Sequence, residues 1–138
     1  MRWSLPIGLA LGLFALGGTR VASAEEGLTK RDGQGPVTVA ITLAAPPAVG
    51  VVLKAKIVLD THSVALDGVA FDQAVVLRAP DGTEMTPAGV EGAIGGGPHR
   101  EAVVVFPPLA QPGTVRILVR NVGGVAERSF AWEVAAPK

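Results

Sequence analysis

The chain contains two histidines, and ordinary strand or turn chemistry does not explain why a histidine occurs at either position. His62 lies in the polar segment 60–63, between two apolar runs, and His99 follows three glycines and a proline. Two imidazoles, with Asp60 as an oxygen ligand, would suit Zn²⁺ or Cu²⁺. Because the sequence has no local spacing such as His-x-His, a shared metal site requires the fold to bring the two segments together.

The same residues also permit a purely structural interpretation. Asp60, Thr61 and Ser63 are turn formers, whose side chains satisfy nearby backbone groups. A charged pair between Asp60 and Arg100 would then lock the polar segment to the glycine-rich one. In this interpretation both histidines only brace loops.

The glycines before His99 leave two options open. Gly96 and Gly97 lack a side chain, so that a ligand or a neighbouring strand could approach the backbone closely. The alternative is a mobile loop over residues 88–98 with no recognition role. The sequence does not decide between them.

Catalysis has weaker support than binding. Ser63, His99 and Asp60 are the residue types of a nucleophile, a base and an orienting group. However, the sequence has no Gly-x-Ser-x-Gly turn to present a nucleophile. We therefore expect no enzymatic activity and assign no catalytic residue.

Composition narrows the range of partners. With 12 basic and 12 acidic residues, the chain lacks the basic surface that nucleic acids require. It has no cysteine, which excludes thiol redox chemistry. It has no tyrosine and only two tryptophans and four phenylalanines. These few aromatic residues lie in apolar contexts, so we do not expect carbohydrate binding.

The first 24 residues have the features of a signal peptide. Arg2 supplies the positive charge, residues 5–18 form a short apolar run, and residues 22–24 are small, as signal peptidase requires. Cleavage would remove two basic and no acidic residues, leaving a net charge of −2 and no membrane anchor. We expect a periplasmic or secreted protein. The sequence leaves open whether the segment is cleaved or retained as an anchor.

The remaining chain has the pattern of an all-β protein. We expect a flexible leader over residues 25–36 and a single domain over residues 37–138. Apolar residues alternate with period two from Val37 to Leu43, from Leu53 to Leu59 and from Phe130 to Val134. About seven short strands, separated by Pro/Gly turns and without an amphipathic helix, predict an antiparallel β-sandwich of the immunoglobulin-like type.

Three segments together resemble a family of small exported bacterial and archaeal proteins of unassigned function. That family carries Asp-Thr-His-Ser, then Gly-Gly-His-His-Arg, then Glu-Arg-x-Phe-x-Trp. The corresponding stretches here are residues 60–63, 96–100 and 127–132. This sequence has Pro98 where the family has the first histidine of its pair, so the resemblance supplies only His62 and His99 as metal ligands.

The chain also resembles CopC-type periplasmic copper carriers, which are small cysteine-free β-sandwiches. The shared features are the turn at residues 81–82, Pro112-Gly113 before a strand, and the ending Phe130-Ala131-Trp132. The N-terminal copper-binding histidine of that family is absent here.

Taken together, the sequence predicts an exported, non-catalytic binding module. Its most testable ligand is a copper or zinc ion at His62, His99 and Asp60. The competing hypothesis is a structural or protein-interaction domain, whose partner would be another exported protein. In either case the same surface contains a network of polar and small residues, namely Thr61, Ser63, Gly96, Gly97 and Arg100.

Overall fold

The computed structural model describes residues 27–137. The predicted signal peptide and the start of the predicted leader lie outside these residues. The strands are β1 (Thr29–Asp32), β2 (Val37–Leu43), β3 (Leu53–Thr61), β4 (Val75–Arg78), β5 (Glu84–Met85), β6 (Gly89–Gly96), β7 (His99–Phe106), β8 (Gly113–Val122) and β9 (Val125–Val134). A short helix, α1 (Phe71–Ala74), precedes β4.

The strands form two antiparallel sheets. One has five strands in the order β1-β2-β3-β7-β6, and the other has four in the order β5-β4-β8-β9. Their inner faces share one apolar core, which confirms the predicted all-β sandwich. The buried core side chains include Val37, Val39, Ile41, Leu43, Leu53, Ile57, Leu59, Leu77, Val104, Phe106, Val115, Ile117, Phe130, Trp132 and Val134.

Period-two alternation explains why these strands bury one face. In β3, Leu53, Ala55, Ile57 and Leu59 are buried, whereas the intervening lysines and Asp60 are exposed. Successive strand side chains point to opposite faces, so one register places these four apolar residues inside and Val58 on the outer face. Strand β4 is buried on both faces, as its unbroken run of apolar residues predicts.

Two expectations were wrong, and they account for the two strands beyond the seven predicted. Thr29–Asp32, within the predicted flexible leader, forms β1 and pairs with β2. Its side chains are polar or charged, so it lacks an apolar period and forms because the edge of β2 offers backbone partners. The Thr29 hydroxyl also lies 2.8 Å from that of Thr42.

Strand β6 occupies the predicted glycine-rich loop and pairs with β7. Its register shifts between Glu91 and Ile94, which is a β-bulge. Gly92 and Gly95 have φ values of +57° and +90°, in the region that favours glycine. The glycines therefore permit an irregular strand where the composition suggested a loop.

The turns divide between two ends of the sandwich. At the end where β3 finishes and β7 begins lie residues 60–70, 96–98 and 120–124, which we call the histidine end. At the opposite end lie residues 44–52, 107–110 and 135–137, which we call the apolar end. The turn at residues 79–83 and Gln111 lie beside these segments and give the apolar end a polar border.

Candidate functional site

The fold brings the two histidine segments together. Asp60 in β3 and His99 in β7 are directly opposed in the sheet register. Directly opposed residues of an antiparallel pair point to the same face with short Cβ separations. A concavity of about 470 Å³ lies at this point. Its lining consists of Pro36, Thr38, Asp60, Thr61, His62, Pro98 and His99.

The His99 imidazole is held between two carboxylates. Its Nδ1 lies 2.5 Å from Oδ1 of Asp60, and its Nε2 lies 3.2 Å from Oε2 of Glu101. Both ring nitrogens can donate only in the imidazolium form. The hydrogen bond to Asp60, and then that to Glu101, raise the pKa of His99 above its ordinary value. The geometry therefore favours a charged His99 across β3 and β7.

This cluster is exposed, which limits its contribution to stability. The side chains of His99 and Asp60 are 48% and 55% exposed, whereas that of Glu101 is 22% exposed. Nζ of Lys56 lies 3.9 Å from Glu101 and adds a second positive charge. Solvent screening weakens such exposed pairs. The cluster acts mainly to fix the orientation of the His99 ring.

The predicted pair between Asp60 and Arg100 does not form. Neighbouring residues of a strand point to opposite faces, so His99 and Glu101 share the outer face while Arg100 points the other way. The Arg100 guanidinium lies over the ring of Phe71, 5.4 Å from its centroid. Its Nε is buried without a hydrogen-bond partner among the residues described. Asp60 is therefore paired with His99 instead.

Backbone hydrogen bonds connect the glycine turn to the polar segment. The Thr61 N–H donates to the Pro98 carbonyl, and the Leu66 N–H donates to the Gly97 carbonyl, both at 2.9 Å. The Thr61 hydroxyl donates to the Pro36 carbonyl at 2.7 Å and accepts from the Ser63 N–H at 3.3 Å. The predicted association of the two segments is therefore present, but main-chain groups supply most of it.

The two glycines of the turn have specific local roles. Gly97 has a φ of +59°, and its N–H donates to Oδ2 of Asp67 at 3.1 Å. A Cβ on Gly96 would lie 2.5 Å from Oδ1 of the same carboxylate, closer than real contacts allow. Small size and positive φ thus let Asp67 seal the turn. No sequence pattern singles out Asp67, because its partner lies 30 residues away along the chain.

His62 lines the concavity but takes no part in the hydrogen-bonded cluster. Within residues 27–137, its ring makes no hydrogen bond or ion pair. Over the same range, no group of three or more His, Cys, Asp or Glu side chains is placed to hold a metal ion. A metal on His99 would have to displace a proton and at least one of its two carboxylate contacts. Asp60, His62 and His99 are therefore neighbours without forming a prepared metal site.

Neither nitrogen of His99 is available to Ser63, since both contact carboxylates. The arrangement of serine, histidine and aspartate that a hydrolase needs is therefore not formed around this ring. Ser63 instead contributes its backbone N–H to the turn.

A larger groove, of about 680 Å³, lies elsewhere at the histidine end. It runs between residues 64–74 and the β8–β9 turn, with Leu66 and Val69 among its apolar lining. Arg120 also lines it, but that guanidinium is already engaged by Glu84 and Glu127. The chemistry of the two histidines lies outside this groove.

Arg128 is a structural residue that the sequence analysis missed. It is buried at the edge where the two sheets meet. Its Nη1 donates to the Asp32 carboxylate at 3.0 Å and to the Val37 carbonyl at 2.9 Å, and its Nη2 donates to the Val122 carbonyl at 3.1 Å. The period-two pattern contained the signal, because Arg128 shares the inner face with Phe130 and Trp132.

The surroundings of Asp32, the partner of Arg128, lower its pKa. Partial burial acts to raise the pKa of Asp32, but hydrogen bonds from the backbone and side chain of Gln34, with the charge of Arg128, lower it below the ordinary value. Asp32 is therefore ionised at neutral pH and completes a buried ion pair. In the same segment, Trp132 donates from Nε1 to the Gly27 carbonyl at 3.1 Å.

No protein-family model, no curated protein and no solved structure matches this chain. Residues 27–137 contain no helix with the length and apolar character needed to cross a membrane.

Proposed function

We propose that this chain is an exported, non-catalytic binding module that binds an extended segment of another exported protein. The binding surface is the edge strand β6 together with the adjoining outer face at the histidine end. One observation carries the proposal: Ile94 of β6 is 58% exposed and lies opposite Glu101 in the register, beside the clamped His99. An exposed aliphatic side chain thus adjoins a fixed polar cluster.

The backbone of β6 suits the addition of a strand. It is the outermost strand of its sheet and pairs only with β7 among the described strands. An edge strand presents N–H and C=O groups that an extended peptide can pair with. The bulge between Glu91 and Ile94 twists this edge, which would hinder pairing between two copies of β6 along its whole length. Residues 94–96, after the bulge, remain regularly paired with β7 and could pair with a short peptide on their free side.

The outer face next to β6 supplies contacts for side chains. Val58, Val103 and Val105 are half-buried there, and the side chains of Glu101 and His99 border them. Alternate residues of an added strand would point to this face and meet both apolar and charged groups. Affinity would come from the main chain, and specificity from these side chains.

The hydrogen bonds of His99 support this function by preorganising the surface. Asp60 on β3 and Glu101 on β7 hold the ring in one orientation without any ligand. A surface that is already ordered loses less conformational entropy on binding. His99 therefore contributes to the recognition surface as a side chain of fixed orientation.

A displayed library of random peptides, selected on the folded domain, tests this proposal. We expect selected peptides to be extended and to shift the NMR resonances of β6, His99 and Glu101. Ile94→Asp should weaken their binding at least tenfold. The matched control is Val51→Asp, because Val51 is 56% exposed and lies at the apolar end. Equal effects of the two substitutions, or resonance shifts away from β6, would contradict the proposal.

Metal binding is a second candidate, favoured by the position of Asp60, His62 and His99 around one concavity. A Zn²⁺ or Cu²⁺ ion bound there would require loss of the His99 proton, because metal ligands must be deprotonated. Calorimetric titration in two buffers of different ionisation enthalpy should then reveal proton release. His62→Ala and His99→Ala should each abolish binding. Binding that survives both substitutions, or no binding at all, would exclude a metal site at these residues.

A further inference from the structure

The apolar end of the sandwich is unusual for a set of loops. Residues 44–52 read Ala-Ala-Pro-Pro-Ala-Val-Gly-Val-Val, without one side chain that can carry a charge or form a hydrogen bond. Connecting loops usually carry polar side chains, because they run over the surface. Here Val51 and Val52 are 56% and 48% exposed. Two adjacent exposed valines in a loop suggest that the loop contacts an apolar partner.

Two further segments extend this surface. Residues 107–110 read Pro-Pro-Leu-Ala, and residues 135–137 read Ala-Ala-Pro, again without a polar side chain. The Gly50 N–H donates to the Leu109 carbonyl at 3.0 Å, and the Ala135 N–H donates to the Pro47 carbonyl at 3.1 Å. These bonds join the three segments into one patch. Contiguous exposed apolar patches mark sites of interaction with proteins or membranes.

The chain enters the domain at the same end. Thr29 pairs with Thr42 in an antiparallel register, so the residues before Thr29 run past the end of β2 towards Ala44. The Trp132 indole fixes the Gly27 carbonyl there. The 26 residues before Gly27 include the apolar run 5–18. The apolar run is therefore joined, through residues 19–26, to the end of the domain that carries the apolar patch.

We propose that the apolar end rests on the surface of a lipid bilayer while the N-terminal apolar segment is still attached to the domain. The segment would hold the domain at the bilayer, and tethering makes even a weak second contact effective. Val51 and Val52 would then enter the boundary between headgroups and acyl chains. Lys54 borders this loop, but its Nζ lies 3.6 Å from Glu91, so the proposed contact rests on the two valines.

This arrangement leaves the proposed recognition surface accessible. The cluster of His99 and Glu101 lies at the opposite end of the strands, facing away from the bilayer. The inference goes beyond the proposed function and does not depend on it, since it rests on other residues.

The absence of cysteine makes a site-specific test simple. Val51→Cys places one thiol on the apolar end, and Ala65→Cys places one on an exposed position at the histidine end. Each full-length variant is labelled with an environment-sensitive fluorophore and reconstituted with vesicles of mixed zwitterionic and anionic lipid. We expect a several-fold rise in emission at position 51 and none at position 65. Lipids with a quencher in the upper acyl chain should reduce only the signal at position 51.

A second variant tests the role of the patch. Adding Val52→Asp to the labelled Val51→Cys chain should abolish the rise in emission while the circular dichroism spectrum stays unchanged. Equal signals at positions 51 and 65, or no rise at position 51, would overturn the inference. A high emission at position 51 without vesicles would also overturn it. If that emission depended on protein concentration, a second copy of the chain would cover the patch. If it did not, the chain's own N-terminal segment would cover it.

Discussion

The outer faces of the two sheets carry charged side chains in different arrangements. On the four-stranded sheet, Glu84 accepts hydrogen bonds from Arg78 at 2.7 Å and from Arg120 at 2.9 Å. Arg120 also donates to Glu127 at 3.1 Å. This chain of charges crosses all four strands. Beneath it Leu118 is completely buried, although it points away from the sandwich core.

On the five-stranded sheet the charged groups form shorter links. Lys54 lies 3.6 Å from Glu91, and Lys56 lies 3.9 Å from Glu101. The valines of this face are only half-buried, and Ile94 at the edge is open to solvent.

Two outer faces of similar composition can therefore be closed or open to solvent. Arginine can cover apolar surface with its long stem while its head forms hydrogen bonds. On β8, Arg116 and Arg120 flank Leu118 on the same face, and Val76 and Ser129 lie across from it. The five-stranded face carries lysines and valines in the corresponding places and stays partly uncovered. This contrast is why we place recognition on the five-stranded sheet.

Substitution of Arg128, which links the two sheets, should destabilise the domain more than any other change proposed below. Arg128→Ala would leave the Val37 and Val122 carbonyls without their donor and Asp32 without its counter-charge. Breaking a buried pair by removing one partner typically costs about 3–5 kcal/mol. We expect a loss of that order in the free energy of unfolding, measured by denaturant titration. The control Arg31→Ala, on exposed β1, should change stability by less than about 0.5 kcal/mol.

The second prediction tests whether the four-stranded face is closed. Leu118→Ala should destabilise the domain by about 2–4 kcal/mol, as for a leucine in a core. Val103→Ala, on the five-stranded face, should cost less than about 1 kcal/mol, because that side chain is only half-buried. Thermal and denaturant unfolding of both variants provides the measurement. Similar losses for the two substitutions would remove the distinction between the faces.

Much of the fold could be predicted because it depends on a local period. The alternation in β2, β3 and β9 identifies which side chains enter the core, and the structure agrees at each apolar position assigned to the inner face. The same rule, applied consistently, would have placed Arg128 inside with Phe130 and Trp132. It was overlooked because an arginine in a core needs partners that only the tertiary fold supplies, here Asp32 and two carbonyls.

The site was harder to predict, since it depends on which residues lie opposite one another across strands. We predicted from the sequence that the two histidine segments lie together, but we expected Asp60 to pair with Arg100. A period of two on β7 shows that His99 and Glu101 share a face from which Arg100 is excluded. The register between β3 and β7, which no local pattern encodes, then selects His99 as the partner of Asp60. Strand β6 was missed because its glycines resemble a loop.

On the five-stranded face, His99 should make the stability of the domain depend weakly on pH. The pKa of His99 is raised in the folded state, chiefly by Asp60 and then by Glu101. The folded state therefore binds the proton more tightly than the unfolded state. This contribution to stability is fully present below the ordinary histidine pKa of about 6.5 and is lost as pH rises through the raised value. Wild-type protein should lose stability as the pH rises above about 6.5, whereas His99→Gln should lose less over the same range.

The two carboxylates can be separated by NMR titration of the His99 ring. Asp60→Asn should lower the pKa of His99 more than Glu101→Gln does, because the hydrogen bond to Asp60 is shorter and has the larger effect. Each amide keeps the size of the carboxylate but removes its charge, so packing is preserved. If neither substitution lowers the pKa, His99 is not clamped in solution, and the face it braces is no more preorganised than an ordinary exposed sheet. If Glu101→Gln lowers the pKa of His99 more than Asp60→Asn does, Glu101 is the main partner of the ring. The ring would then be held mainly from its own strand, and β3 and β7 would be joined there mainly by their backbone hydrogen bonds.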